Sequence, residues 1–267
     1  MDEAAAAGQL KTAQLRWIAF EQPLLQRVDP AGAPDTIEYS LFQMAADGAT
    51  PDRTIDAMIH NLAGEQRKEG NWHKDTNARS PMEDGDFTRT AMAVRCLRLY
   101  GPAGRKAEFD RRIERAAAWL RSATPLTTED ENLRILGLKW AGTDNDRLGE
   151  LAGKLIAEQR PDGGWAQTPE LPSDAYATGQ ALYTLHESGA PASEAACRRG
   201  AAYLLRTQLD DGSWHVRSRA PKFQPYFQSG FPHDHDQWIS AAATAWATIG
   251  LAYAAGPDAG SATVSAR

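Results

Sequence analysis

Cysteine is nearly missing from this chain: Cys96 and Cys197 are the only two in 267 residues. Both fall in stretches of helical periodicity, so no disulfide framework is implied. No run approaches the roughly 18 apolar residues that a membrane span requires, and the N-terminus lacks the pattern of a signal peptide. The compartment is therefore open, as is peripheral contact with a membrane surface. Basic excess is lacking too. The formal net charge is −6, which gives no attraction for a nucleic-acid backbone. No segment alternates polar and apolar residues as a half-buried strand does, so the expected class is all-α. The length is ample for a real core.

What is present is tryptophan, placed periodically. Of the eight Trp, four (Trp72, Trp119, Trp165 and Trp214) fall at repeat positions. Gln66-x3-Gly70-x-Trp72, Gln159-x3-Gly163-x-Trp165 and Gln208-x3-Gly212-x-Trp214 are one device used three times. A fourth, degenerate copy keeps only Arg115-Ala-Ala-Ala-Trp119-Leu120 before running into Thr124-Pro125. The local physics of each copy is direct. A helix ends at the glutamine, glycine accepts the left-handed cap, glutamine reaches free carbonyls, and tryptophan folds back over the last turn. Self-similarity of this kind points to a repeat architecture.

Helix punctuation extends the pattern. Second helices start near Asp35/Thr36, Asp86, Asp130, Ser173/Asp174 and Asp236, and stop before Gly48, Gly101, Gly142, Gly189 and Gly256. Acidic or hydroxyl starts and glycine stops are the usual pair of signals. The expectation is five helical hairpins. Their first helices lie near 9–28, 51–67, 107–123, 145–159 and 192–208, and their second helices near 36–47, 87–100, 130–141, 174–188 and 237–255. First helices carry charge on one face, as in Arg111, Arg112, Glu114, Arg115 and Arg121, and so form an outer layer. The helix from Trp238 to Ala255 has no charged residue and is expected to be buried nearly all round. An amphipathic outer ring on an apolar inner ring is an α/α toroid, here one domain over 9–256. Residues 1–8 are expected to be a tail or a cut point, and 257–267 a second tail.

The three Gln-x3-Gly-x-Trp motifs and the hairpin alternation resemble the prenyltransferase and squalene-oxidase repeats. Those repeats build the toroids of squalene–hopene cyclases, class II diterpene cyclases and protein prenyltransferases. The resemblance spans roughly Thr36 to Gly256. DAYATGQAL and FQPYFQSGFPHDHDQWIS also look like the C-terminal module of certain bacterial proteins with ankyrin repeats upstream. That likeness implies an ankyrin-type domain of the same polypeptide as a partner. Such toroids usually close with about six hairpins; five here imply an open ring or a piece preceding Met1.

The resemblance implies a class II cyclase that protonates an apolar isoprenoid chain, with no cofactor. Asp236 matches the acid of the cyclases' Asp-x-Asp-Asp motif and is flanked by Asp234 and His235, while Gln237 stands where the motif has its last Asp. Such an acid must be protonated in a dry pocket, so burial should raise the pKa of Asp236. Alternatively Asp236 is a helix N-cap.

The long loop from His215 to His235 carries Phe223, Tyr226, Phe227 and Phe231, and reads as an aromatic lid or as a plug. Tyr176, Gln180, Tyr183 and His186 share one helix face, as do Trp238, Ala242 and Trp246. Such stripes line either a ligand pocket or a core. The substrate-contacting candidates are thus Tyr176, Gln180, Tyr183, Phe227, Phe231, His233, Trp238 and Trp246. His233, His235, Asp236 and Asp234, with His215, are metal-ligand types, yet no Asp-x-Cys pair of the prenyltransferases occurs, and no metal is expected. Arg217, Arg219 and Lys222 either meet a diphosphate or are solvated. The rival to catalysis is a module that binds an apolar ligand or a protein.

Overall fold

The computed structural model describes residues 3–75, 79–190, 193–222 and 225–255. It is mostly helical, at 63% helix with eleven α-helices and two short strands. Gly256 and the expected tail over 257–267 lie outside the described residues, as does Phe223. By backbone contacts the chain divides into two compact units. Unit 1 comprises residues 1–76, 85–124 and 140–142, and unit 2 comprises 77–84, 125–139 and 143–267.

Unit 1 is built from α1 (Glu3–Ile18), α2 (Glu21–Leu25), α3 (Asp35–Ala46), α4 (Arg53–Gly64), α5 (Asp86–Tyr100) and α6 (Lys106–Ser122). Where the sequence predicts one helix over 9–28, the chain forms two. The break follows Ile18, and α1 already starts inside the stretch expected to be a tail. Pro23 lies in the first turn of α2, where its missing N–H costs nothing. The helix α6 buries Phe109, Ile113, Ala116, Ala117 and Leu120, a single stripe at helical spacing. In contrast α5 is buried along most of its length. The two helices thus differ in how many of their sides are buried.

Unit 2 contains most of α7 (Thr128–Ala141), then α8 (Asn145–Ala157), β1 (Trp165–Ala166), β2 (Ser173–Asp174), α9 (Ala175–Ser188), α10 (Ser193–Thr207) and α11 (Gln237–Ala255). The strands correct the expectation of no strand. Trp165 pairs with Asp174 and Ala166 with Ser173, antiparallel, because the motif turn delivers Trp165 beside the extended residues that open α9. The helices α9 and α11 cross closely: a Cβ on Gly179 would stand 2.4 Å from the backbone of Trp246. A second correction concerns α11. Only Gln237, Ile239, Ser240, Ala243, Ala247 and Gly250 are buried, one face of the helix, while Ile249 is 40% and Tyr253 41% exposed. Lack of charge did not mean burial all round.

Helix starts were read correctly in place and only partly in chemistry. Asp174 does cap α9, accepting the Ala177 amide at 2.9 Å. Asp130 belongs to a reciprocal box with Thr127: each side chain accepts the other's backbone N–H at 3.1 Å. Asp35 and Asp86 face Arg89 and His73. The caps of α4 and α8 are Asp52 and Asp144. At the stops, Gly48, Gly142 and Gly189 take positive φ, whereas Gly101 does not.

The three motif copies fold alike. Each indole N–H donates to the carbonyl ten residues back: Trp72 to Leu62 at 2.7 Å, Trp165 to Leu155 at 2.7 Å, Trp214 to Leu204 at 2.9 Å. Each Trp amide donates to a threonine hydroxyl of a later helix, namely Thr90 of α5, Thr178 of α9 and Thr244 of α11. All three rings are buried. Trp165→Ala should therefore cost about 3–5 kcal/mol, because cavity, lost contacts and an orphaned carbonyl add. Urea unfolding checks this; a loss under about 1 kcal/mol would mean that the ring fills no packed slot.

Candidate functional site

The last helix, α11, and its preceding loop form the corner of unit 2 to which the sequence assigns chemistry. Asp236 ends a 3-10 turn over Asp234–Asp236 that follows His233, a non-glycine residue at φ +83°. Its carboxylate accepts the Ser218 amide and bonds His215 Nε2, each at 2.8 Å. Partial burial pushes its pKa up, but the Ser218 amide, the His215 ring and Arg217 outweigh this and hold it below the ordinary carboxylate value. That direction is opposite to the expected one. Nor does Asp236 cap α11 by a side-chain bond. It fastens the loop.

The neighbouring residues do the same. Gln237, buried, accepts the Ser229 amide and hydroxyl at 2.7 and 2.6 Å and donates to the Phe227 carbonyl. It therefore does not hold Asp236. Asp234 is exposed, and the exposed His235 ring lies 4.6 Å from that of Tyr226, whose pKa is raised by desolvation and then by Asp234. His233 Nε2 is 2.8 Å from Ser213 Oγ, and its ring stacks on His215 at 4.9 Å. Ser213 Oγ also lies 2.7 Å from Asp211, whose pKa is lowered first by that hydroxyl and then by the Ser213 amide. An ionised carboxylate only accepts, so the Ser213 proton points at Asp211 and His233 donates to the serine oxygen. A serine held this way is not primed as a nucleophile. Among the described residues no three His, Cys, Asp or Glu side chains converge as a metal's ligands would.

The aromatic loop is not a closed wall. Phe227 is 78% exposed, Tyr226 is also exposed, and Phe231 is half-buried, 6.3 Å from the His233 ring. Of the loop cations, Arg219 is occupied. It donates to Gln167 Oε1 at 2.7 Å and pairs with Asp84 at 3.5 Å, while Arg217 and Lys222 stay exposed. Gln167 in turn donates to Asp174, whose pKa burial pushes up to about 6 against the Ala177 and Gln167 hydrogen bonds.

The stripe on α9 splits between two environments. Tyr176 and Gln180 are buried and both donate to Glu129 Oε2, at 2.8 and 3.0 Å, while Asn132 donates to Gln180 Oε1 at 3.1 Å. They are core polar groups, satisfied by α7. Farther along, Tyr183 lies 5.6 Å from both Trp246 and Tyr253, and His186 lies 4.3 Å from Tyr253. These four rings make a half-exposed seam between α9 and α11. Trp238 is half-buried at the other end of α11. A separate surface cleft of about 360 Å³ is lined by Pro125, Leu126, Glu131, Glu158, Arg160 and Pro169, among others.

Sequence reading missed the buried carboxyls whose pKa values rise most. In unit 1, Glu38 on α3 is fully buried and neither carboxyl oxygen finds a hydrogen-bond partner. Burial, then Asp35, raises its pKa well above the ordinary value. Burial also pushes Glu65 up to about 8, with the neighbouring Asp29 carboxylate adding to the rise. The alternation of acidic helix starts carried no hint of this, since Glu38 stands one turn inside its helix.

No protein-family model matches the chain, and no curated protein matches it. No described helix is long and apolar enough to cross a membrane.

A pH dependence follows from unit 1. Raised carboxyls bind protons more tightly folded than unfolded, so the stability they add is full at low pH. It should fall as pH rises from about 4.5 towards and past about 8. Thermal unfolding across that range should show a falling midpoint, flattened in Glu65→Gln. An identical slope in that variant would remove Glu65 from the explanation.

Proposed function

We propose that this chain is a binding module of the α/α-toroid type that takes an apolar, isoprenoid-like ligand without transforming it. The observation that carries this reading is the aromatic seam of Tyr183, His186, Trp246 and Tyr253. Four rings lie together on the surface of unit 2 beside an α11 face that holds no charge. Exposed aromatic clusters lose hydration when an apolar chain covers them, and they gain dispersion contacts. The likeness of the three motifs to isoprenoid-handling enzymes supports an isoprenoid in preference to other apolar chains.

Cyclase chemistry has weaker support. It needs a neutral carboxyl at Asp236, and that carboxylate is stabilised in its charged form by one amide and one imidazole. Its partners also pin a loop, a structural duty that explains the Asp-His-Asp-Gln run without catalysis.

Titration with geranylgeraniol, followed by tryptophan fluorescence, tests the proposal. Saturable binding is expected, weakened at least about tenfold in Trp246→Ala as for a central aromatic anchor, with the alcohol recovered unchanged. A cyclised product that disappears in Asp236→Asn would instead establish the acid-initiated reaction.

A further inference from the structure

The repeat joint has a second half that is formed twice and exposed once. At the first copy, Gln66 Nε2 donates to Gly70 O at 2.9 Å and across to Arg112 O of the next outer helix at 2.8 Å. Arg115, three residues after that carbonyl, donates to Gln66 Oε1 at 2.5 Å. The second copy repeats the register. Gln159 donates to Gly163 O at 2.8 Å and to Ala196 O at 2.9 Å, and Arg199 donates back to Gln159 Oε1. The glycines meet the same atom in both: a Cβ on Gly70 would stand 2.3 Å from Arg115 O, and one on Gly163 would stand 2.6 Å from Arg199 O. Glycine is required there because another helix's backbone occupies the space.

The third copy keeps the residues without the neighbour. Gln208 Nε2 donates to Gly212 O at 2.9 Å, and among the described residues nothing else bonds its amide. A Cβ on Gly212 would find only that amide, at 3.9 Å. Gly70 and Gly163 are buried; Gly212 and Gln208 are exposed. The apolar flank is exposed as well. Leu205, three residues before Gln208, stands where the first copy has the buried Ala63, yet is 63% exposed, and Leu209 is 43% exposed. Asp210 and Asp211, also exposed, add negative charge beside the corner.

We propose that the corner formed by Leu205, Gln208, Leu209 and Gly212 docks a helix of another polypeptide that has the register of the two filled joints. The two filled joints specify that helix. It carries an arginine that reaches Gln208 Oε1. The carbonyl three residues earlier accepts from Gln208 Nε2, and a small residue follows the arginine, as Ala116 and Gly200 do, so that its backbone can approach Gly212. An aromatic and a leucine come four and five residues after the arginine, as in Trp119-Leu120 and Tyr203-Leu204. Apolar contact with Leu205 and Leu209 supplies the buried surface; the arginine and glutamine fix the register. The seam around Trp246 plays no part in this docking.

The probe is a fluorescein-labelled peptide of residues 193–207, which has the required register around Arg199. A hydrocarbon staple replacing the exposed Glu194–Arg198 pair holds it helical. Fluorescence anisotropy against the whole chain should show saturable binding. Arg199→Ala in the peptide should weaken it at least about tenfold, the loss of a charge-assisted hydrogen bond. Gln208→Ala in the protein should do the same, with its circular dichroism unchanged. Leu205→Glu, at a position 63% exposed, should abolish binding independently and guards against a folding defect in the first variant. Absence of saturation up to about 1 mM peptide, the weak limit for a specific contact, overturns the proposal. So does equal binding of the Arg199→Ala peptide, or full binding by both protein variants. Binding of geranylgeraniol is unaffected by these variants, so the two proposals fail separately.

Discussion

The hydrogen bond from each motif indole to the carbonyl ten residues back is the constraint on which the rest depends. It closes a turn that would otherwise leave the last carbonyls of the preceding helix unsatisfied. The ring that makes it is buried, so the same side chain supplies contact area and removes an orphan acceptor. The threonine hydroxyl on the Trp amide then ties the following helix to the motif. The helices on either side of each motif cannot slide relative to each other without breaking these bonds.

This division of labour decides where chemistry can lie. Glutamine, glycine and tryptophan of the motif are consumed by structure, and the acidic run before α11 is consumed by its loop. Asp236, Gln237 and His233 each have protein partners that account for them. What is left over in unit 2 is a surface of rings, and in unit 1 a set of carboxyls whose pKa values burial raises. Glu38 is wholly enclosed and has no path to a substrate, so its raised pKa is no sign of a catalytic acid.

Much of the architecture was legible because it is local. Apart from the stretch over 9–28, where two helices form in place of one, helix ends fell within a few residues, and the motif turns were placed because Gln-x3-Gly-x-Trp encodes its own geometry. What was not legible depended on partners distant in sequence. Asp174 and Asp236 look equivalent as helix starts, but only the first caps its helix. The second is diverted by Ser218 and His215, which the long loop brings back. Tyr176 and Tyr183 share a stripe, yet Glu129 claims one and Trp246 the other. The uncharged α11 suggested complete burial, because hydropathy cannot say how many sides of a helix find neighbours.

The claim that the indole joints carry the fold is most directly tested by hydrogen exchange at the tryptophan side chains. With indole nitrogen-15 labelling, each Nε1–H reports its own joint. If the joints hold the repeats, the Nε1–H groups of Trp72, Trp165 and Trp214 exchange only through cooperative opening of the surrounding helices, at rates matching the slowest backbone amides of α5, α9 and α11. Fast exchange at all three under native conditions, with those backbone amides still protected, would contradict the account.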